Sequence, residues 1–407
     1  MDMSDHEKPF HRFKERFSHL PYTALRTAPL LSDEVYENEK KLVFGKSWLC
    51  VGRETQVPKF GDFFVKEFPT LKQSVIIIRD RDGTLNAFHN VCCHRANKVQ
   101  WEESGNCRSL TCKFHGWSYK IDGTLADVPD EDRFFNFDKS KFGLKPVNIE
   151  TWRGFIFLCL EDTPSETLEE FLGEVGRYLF DYPFEKYSQC YAYSTTLNCN
   201  WKVVTDAFQE AYHVGFVHGR VLVDYHHEPD LHLIENVELY KRHATFGFPS
   251  AKDHHTFPTE AMGFEHSVNI SSAVSRAGEE HGESEKLWGF VGNRIFPNFF
   301  CDILDGMYFT HEIIPVSKDV TWFEHRMYYA PAKTPGQLFG QETSKVMLRD
   351  ILLEDLSTLE HTQTAIEGGV LKEFPLQDEE IVVRQFYNVL DNILREENLE
   401  PVYFPEG

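Results

Sequence analysis

Two segments, Asn90-Val-Cys-Cys-His-Arg95 and Cys112-Lys-Phe-His-Gly-Trp117, decide how this chain is interpreted. The first segment holds two cysteines and one histidine, and the second holds one cysteine and one histidine. Cys93 should point away from its neighbours Cys92 and His94 and is interpreted as a packing residue, so the four candidate ligands are Cys92, His94, Cys112 and His115. Two thiolates and two imidazoles on a pair of loops predict a 2Fe–2S cluster with mixed ligands, whose reduction potential exceeds that of all-cysteine clusters. A zinc site is the alternative, although zinc fingers usually pair Cys with Cys and His with His.

The sequence around these segments predicts a small antiparallel β module. From Ser47 to about Asp162, short β-branched and aromatic runs are separated by Gly, Pro and Asp-Gly turn signals. Before the module, the amphipathic stretch from Asp33 to Phe44 predicts a helix.

Beyond about residue 165 the apolar pattern changes and predicts a mixed α+β domain. Predicted helices cover 168–180, 206–213, 342–366 and 379–396, and predicted strands cover 192–197, 287–296, 307–314 and 320–329. The polar, His-rich stretch 219–285 matches no motif and is interpreted as loops and insertions.

A second group of polar residues lies in this domain. Asp206, Glu210 and His213 stand at i, i+4 and i+7, which places them on one face of the predicted helix. Such a stripe is costly in an apolar segment unless a partner or a metal satisfies it. His218 follows five residues after His213, so both reach one ion only if the helix loosens, which Gly215 allows. Two histidines and one carboxylate form the ligand set of non-haem iron(II) oxygenases.

The carboxylate is expected from the predicted helix 342–366. One stripe of this helix holds Leu348, Leu352, Asp355, Leu359, Thr362 and Ile366. Asp355 is the one acid on that stripe. Because a lone carboxylate that faces a core is costly unless it is satisfied, this position is typical of a metal ligand. Asp302, Asp305 and Glu354 are rival candidates.

Composition excludes other classes of protein. Lys and Arg total 42 against 64 Asp and Glu, a net charge of −22 that argues against a general nucleic-acid binder. No apolar run approaches the ~18–20 residues that cross a bilayer, and the polar N-terminus lacks the apolar region of a signal peptide, so we expect the cytoplasm. No glycine-rich nucleotide-binding loop follows a strand, so we expect electrons to come from a separate protein.

With these residues in view, the chain resembles the catalytic α subunit of Rieske non-haem iron oxygenases. The resemblance is carried by Asn90–Arg95, by the segment from Cys112 to Leu125 and by the segment from Asp206 to His218; Ala96 stands where the family commonly has glycine. It implies an α+β chain with an all-β Rieske 2Fe–2S domain and a helix-grip catalytic domain, an antiparallel sheet with helices. The implied boundaries are 1–45 for an N-terminal helical segment that packs on the catalytic domain, 46–163 for the Rieske domain and 164–407 for the catalytic domain.

The same resemblance assigns roles to residues. Ligands of the 2Fe–2S cluster would be Cys92, His94, Cys112 and His115, and ligands of a mononuclear Fe(II) would be His213, His218 and Asp355. Glu210 corresponds to the family's bridging carboxylate, which would join His213 to His115 of the partner subunit. Asp206, the other candidate catalytic residue, occupies a place where the family often has Asn.

The implied function is that of a terminal oxygenase that activates O2 and hydroxylates a small molecule. A reductase, directly or through a ferredoxin, would pass on electrons from NAD(P)H, and the expected assembly is a homotrimer with or without a β subunit. The 35 Phe residues favour an aromatic or hydrophobic substrate, unless they only form the core; the candidates are Phe208, Phe216, Phe296, Phe299 and Phe300. An N-demethylase or monooxygenase of a betaine, choline or carnitine is the alternative. A non-catalytic Rieske electron carrier is a remote third reading, which leaves the second group of residues unexplained.

Overall fold

The computed structural model describes residues 11–221, 234–249, 288–304, 306–395 and 402–404. It divides into two compact units, Lys40–Phe180 and the residues before and after that span. Most of the region 219–285 lies outside the described residues, as does Asp305. Its interpretation as loops is wrong for the described part, because Glu235–Leu239 and Ala244–Pro249 are strands that pair with each other. None of the described helices has the length and apolar character needed to cross a membrane.

The N-terminal segment is helical and belongs to the same unit as residues 181 onward. Its elements are α1 (Arg12–Arg16), β1 (Leu25–Arg26), α2 (Ala28–Leu31) and α3 (Asp33–Asn38). The Ser32 side chain caps α3 by accepting a hydrogen bond from the Val35 N–H. The helix predicted from Asp33 to Phe44 is confirmed, although its second half, Glu39–Phe44, is a π-helix.

The unit Lys40–Phe180 contains three small antiparallel sheets and one α-helix. Its strands are β2 (Leu49–Arg53), β3 (Asp62–Phe68), β4 (Gln73–Arg79), β5 (Leu85–His89), β6 (Ser104–Asn106), β7 (Leu110–Thr111), β8 (Ser118–Tyr119), β9 (Leu125–Asp127), β10 (Asn148–Trp152) and β11 (Phe155–Cys159). The helix is α4 (Leu168–Tyr178), and the strand orders are β10-β11-β2, β5-β4-β3-β6 and β7-β8-β9. The predicted β module is confirmed.

The other unit is built on a seven-stranded antiparallel sheet. In chain order its elements are β12 (Gln189–Leu197), α5 (Trp201–Asp206), α6 (Val214–Val217), β13 (Glu235–Leu239), β14 (Ala244–Pro249), β15 (Trp288–Ile295), β16 (Phe299–Leu304), β17 (Met307–Ser317), β18 (Val320–Tyr329), α7 (Pro335–Glu367), β19 (Glu373–Phe374) and α8 (Ile381–Arg395). The strand order is β12-β18-β17-β16-β15-β14-β13, and β19 pairs separately with β1. This sheet with helices confirms the mixed α+β prediction.

The helix predicted over 206–213 is wrong. Helix α5 ends at Asp206, turns follow, and only Val214–Val217 is helical again. The Glu210 carboxylate explains the break, because it accepts hydrogen bonds from the backbone N–H groups of Tyr212 and His213. Asp206, Glu210 and His213 therefore do not share a helical face.

Candidate metal centres

Two matching turns present the four candidate cluster ligands. In the first turn the Ala96 N–H donates to the Cys92 carbonyl over 2.9 Å, and in the second the Gly116 N–H donates to the Cys112 carbonyl over 3.0 Å. Both cysteines are buried. The rings of His94 and His115 lie 4.6 Å apart between their centroids, so the turns bring both imidazoles to one place.

The surroundings of these residues fit a metal cluster. Nδ1 of His94 is buried and, within the described part of the chain, has no hydrogen-bond partner. The Tyr119 hydroxyl accepts from the Cys93 N–H at 3.0 Å and lies 3.2 Å from Sγ of Cys92. A cysteine that ligates a metal is a thiolate, so with a cluster bound the hydroxyl would be the donor of this second hydrogen bond. Burial raises the pKa of Tyr119, which keeps it a donor. Hydrogen bonds to cluster sulfurs tune the reduction potential.

The turn geometry explains why glycine is expected at position 96. Ala96 has φ of 60° and Gly116 has φ of 76°, both in the left-handed region that side chains disfavour. Ala96 therefore adopts the same turn at a conformational cost, and the arrangement of the two ligands is retained.

A second set of donor atoms converges in the other unit. His213 and His218 flank the short helix α6, and Asp355 projects from α7. Oδ1 of Asp355 lies 3.3 Å from Nε2 of His213 and 3.0 Å from Nε2 of His218. Three candidate ligand atoms of these residues lie within 4.8 Å of one another. The short α6 brings both imidazoles to the carboxylate without the loosened helix expected from the spacing.

The donor set fits a single metal ion. Oδ1 of Asp355 is buried and makes no hydrogen bond in the described residues, although two imidazole nitrogens point at it. Two imidazoles and a carboxylate that leave part of the coordination sphere open are the ligand set of non-haem iron(II) oxygenases. Burial acts to lower the pKa of His213, but Asp355 and Glu210 outweigh it and raise that pKa to about 10.

Each histidine of this set has a second carboxylate on its other ring nitrogen. Oε1 of Glu210 is hydrogen-bonded to Nδ1 of His213. Oε2 of Glu354 lies 3.0 Å from Nδ1 of His218. Carboxylates in this position orient an imidazole ligand and raise its basicity. Glu354, a rival ligand by sequence, thus contacts His218 on the nitrogen opposite to the one that faces Asp355. The sequence indicates its place near the site only through its position next to Asp355.

The remaining candidates lie elsewhere in this unit. Asp206 accepts hydrogen bonds from the Tyr387 hydroxyl at 2.7 Å and from Nε2 of Gln209 at 3.1 Å. Burial raises the pKa of Asp206 to about 7. Asp302 is buried on β16, where its Oδ1 accepts from the Asn293 backbone N–H at 3.0 Å. Neither carboxylate belongs to the convergent set.

Sequence reasoning missed His311 on β17, which is close enough to the convergent set for the charge of Asp355 to act on it. Burial lowers the pKa of His311 to about 3, against an opposing effect of the Asp355 charge, so the ring is neutral. The Phe208 ring stacks on it at 4.5 Å between centroids. Among the other Phe candidates, Phe296, Phe299 and Phe300 are buried, whereas Phe216 is 75% exposed. Phe208 and Phe300 are therefore the candidates that contact His311 in the described structure, Phe208 by stacking and Phe300 edge-on at 6.2 Å between centroids.

Two protein families match the chain. Residues 47–147 match the Rieske [2Fe-2S] domain, and residues 184–396 match the ring hydroxylating alpha subunit (catalytic domain). The carnitine monooxygenase oxygenase subunit of Escherichia coli K12 is 33% identical over 185 residues, 45% of this chain and 49% of that protein. The biphenyl 2,3-dioxygenase subunit alpha of Rhodococcus jostii is 33% identical over 194 residues, 46% of this chain and 41% of that protein. The matched stretch thus spans about half the length of these curated relatives or less.

Solved structures share the fold over nearly the whole chain. A quaternary ammonium Rieske monooxygenase in complex with an inhibitor superposes with a TM-score of 0.72 at 20% identity, covering 94% of this chain and 98% of that one. Naphthalene 1,2-dioxygenase from Rhodococcus sp., bound to indole, superposes with a TM-score of 0.73 at 21% identity, covering 91% and 95%. At this identity the likeness concerns the fold.

Proposed function

Because this chain belongs to the family of Rieske oxygenase catalytic α subunits, we propose that it is a terminal oxygenase that hydroxylates an aromatic or other hydrophobic small molecule. The family match implies a Rieske 2Fe–2S cluster, a mononuclear iron and O2 as co-substrate. The observation that carries the proposal is the convergence of His213, His218 and Asp355 on one buried point. The domain boundaries 1–45, 46–163 and 164–407 remain part of the proposal.

The proposed ligands follow the two sets of residues described above. Cys92, His94, Cys112 and His115 would hold the cluster, and His213, His218 and Asp355 the mononuclear iron. When bound, the cluster supplies single electrons and the iron activates O2. Tyr119 would donate a hydrogen bond to Sγ of Cys92, and Glu210 and Glu354 would hold the two iron-binding rings in orientation.

Glu210 is proposed to connect the two centres between subunits. Its side chain is 13% exposed, so a partner can reach it, and it already bonds His213. Tyr212 and Phe216 beside it are exposed, as is Phe114 beside His115 in the other unit. Exposed aromatic residues beside each centre are typical of surfaces that associate. We propose a closed, head-to-tail trimer in which Glu210 bonds His115 of the partner subunit.

Other components are needed for turnover. Members of this family take electrons from partner proteins and form multimers; here we propose a reductase, with or without a ferredoxin, that uses NAD(P)H in the cytoplasm. Asp206 is proposed as a second catalytic residue in addition to Glu210. Burial brings the pKa of Asp206 to about 7, so this carboxyl can hold or release a proton near neutral pH.

A second candidate function concerns quaternary amines. Relatives named as oxygenase subunits of carnitine monooxygenase and of glycine betaine monooxygenase match this chain at 33% and 32% identity. Aromatic rings such as Phe208 serve either substrate, because they bind apolar groups and also attract quaternary ammonium groups. Monooxygenation or demethylation of such an amine is therefore the alternative.

One experiment tests the class and the substrate together. The chain is reconstituted with iron and sulfide, and its iron is counted. The proposal expects three irons per chain, two in the cluster and one mononuclear, whereas a simple electron carrier holds two. Aerobic turnover with a surrogate reductase is then screened with aromatic compounds against betaines, choline and carnitine. Two irons per chain would overturn the proposal.

A further inference from the structure

Arg294 is a buried cation with unused hydrogen-bond donors. It lies on β15, and its side chain is inaccessible to solvent. Nη2 donates to Oε1 of Gln385, but Nε and Nη1 have no hydrogen-bond partner in the described residues. A buried guanidinium is costly unless an anion or several acceptors satisfy it.

A buried arginine elsewhere in the same unit shows how a buried guanidinium group is normally satisfied by acceptors. Arg384 on α8 is also buried, and it donates to the carbonyl oxygens of Pro21, Thr23 and Leu376 at 2.8 to 3.0 Å. Arg294 has no such set of acceptors among the residues that the structure describes. Within this part of the chain, one of the two buried guanidinium groups is satisfied and the other is incomplete.

Asp206, the described acid whose charge acts on Arg294, does not satisfy its free hydrogen-bond donors. Asp206 is its electrostatic partner, but both Asp206 oxygens are engaged, one by Tyr387 and the other by Gln209. Burial lowers the pKa of Arg294 to about 9 and raises that of Asp206 to about 7, so neither charge fully compensates the other. Oε1 of Gln209 is also buried without a partner in the described structure.

Arg294 lies on the sheet face that carries His311. It pairs across the strands with Phe300, which pairs with His311, and cross-strand partners project to the same face. Two strand spacings separate Arg294 from His311, roughly 10 Å. The Phe208 ring lies against His311 and 6.3 Å from the Phe300 ring between centroids. An aromatic surface therefore connects the incomplete cation with the neighbourhood of Asp355.

We propose that Arg294 is the anchor for a carboxylate group of the substrate. This inference rests on the proposed oxygenase function and names the class of substrate, a small carboxylic acid. Its carboxylate would accept charge-assisted hydrogen bonds from Nε or Nη1, and the rest of the molecule would lie along Phe300 and Phe208 toward the metal site. Aromatic acids and carboxylate-bearing betaines share this chemistry, and the test separates them.

The test compares matched ligands on the iron-loaded chain by isothermal titration calorimetry. Phenylacetate is paired with phenylacetamide, and carnitine is paired with choline, which lacks the carboxylate. The carboxylate member of one pair should bind roughly 10- to 100-fold more tightly, as expected for hydrogen bonds to a charged group. The pair that shows this difference identifies the source of the carboxylate.

Variants assign the difference to one side chain. Arg294→Met should remove the preference for the carboxylate, and Arg294→Lys should retain part of it. Arg326→Met is the control, because Arg326 bonds Glu324 and lies on the opposite face of the same sheet; the preference should survive. If both members of each pair bind the unmodified chain equally, the proposal is overturned without any variant. This is the result expected if internal water, and not a carboxylate, satisfies Arg294. A preference that persists in Arg294→Met also overturns the proposal.

Iron content measured on the same samples separates two failures. Three irons per chain without a carboxylate preference would reject the anchor and leave the oxygenase proposal intact. A chain that binds only two irons would reject the proposed function itself.

Discussion

Glu210 and Asp355 contact opposite nitrogens of the same imidazole. Glu210 is hydrogen-bonded to Nδ1 of His213, while Oδ1 of Asp355 lies 3.3 Å from Nε2. One ring therefore faces a buried donor set on one side and a partly exposed carboxylate on the other. This is the arrangement expected of a ligand that links a metal site to the protein surface.

The first prediction concerns the metal ligand on α7. Asp355→Ala should lower the iron content from three to two per chain, because the buried set loses its carboxylate while the cluster ligands lie in the other unit. Metal analysis and the visible spectrum of the cluster measure this. Asp350→Ala is the matched control, since Asp350 lies on the same helix and pairs with Arg349 at the surface. Loss of iron in the control as well would show that the helix, and not the ligand, is responsible.

The second prediction concerns Glu354, the carboxylate that contacts His218 on its Nδ1. Glu354→Gln should weaken binding of the mononuclear iron roughly 10- to 100-fold, because Nδ1 of His218 loses a charged acceptor. A chelator competition assay on the cluster-loaded chain measures the affinity. Ser357→Ala, one turn further along α7, should leave the affinity unchanged, because in the described structure the Ser357 hydroxyl bonds the backbone carbonyl of Glu354 and not its carboxylate. An unchanged affinity in Glu354→Gln would show that Glu354 does not support the site.

The third prediction follows from the strained turn at the cluster. Ala96→Gly should stabilise the unit Lys40–Phe180 by about 1 kcal/mol, because glycine adopts the left-handed conformation without the cost that alanine carries. The melting temperature, followed by bleaching of the cluster, should rise by a few degrees. Ala126→Gly is the control: Ala126 is exposed on β9, where glycine should lower the melting temperature. A lower melting temperature for Ala96→Gly would contradict the account of the turn.

The fourth prediction concerns pH and the buried Asp302. Burial raises the pKa of Asp302 to about 8, so the folded chain keeps this carboxyl protonated above pH 4, where the unfolded chain releases the proton. Stability from this group is therefore lost as pH rises from about 4 to about 8, by at most about 1.4 kcal/mol per pH unit. Asp302→Asn should remove this dependence. The melting temperature of the variant, relative to that of the unmodified chain, should therefore increase as pH rises from 5 to 8. A constant difference across that range would contradict the assignment, and Asp350→Asn at the surface should show no such trend.

Sequence reasoning succeeded where chemistry is carried by close spacing. The pairs Cys92/His94 and Cys112/His115 lie within single turns, so their proximity follows from the chain itself, and the family resemblance built on them is confirmed. The apolar stripe that singled out Asp355 is also buried as predicted, except that Gln363 replaces Thr362 on the buried face of α7.

It failed where a side chain overrides the local pattern. The spacing of Asp206, Glu210 and His213 is compatible with a helix, yet Glu210 binds backbone N–H groups and the helix ends before it. Arg294 gave no signal at all, because an arginine within a strand resembles an ordinary exposed charge. Its burial depends on α8, far along the chain, which no local pattern reveals.

The most direct test of the central claim follows the cluster in a single turnover. The anaerobically reduced chain, loaded with iron, is mixed with O2 and substrate, and oxidation of the cluster is recorded by stopped-flow absorbance. If Glu210 carries the connection to the mononuclear site, Glu210→Gln should retain three irons per chain and slow this oxidation by roughly 100-fold, the upper range for loss of such a partner. Oxidation at the rate of the unmodified chain, with all irons in place, would contradict the account.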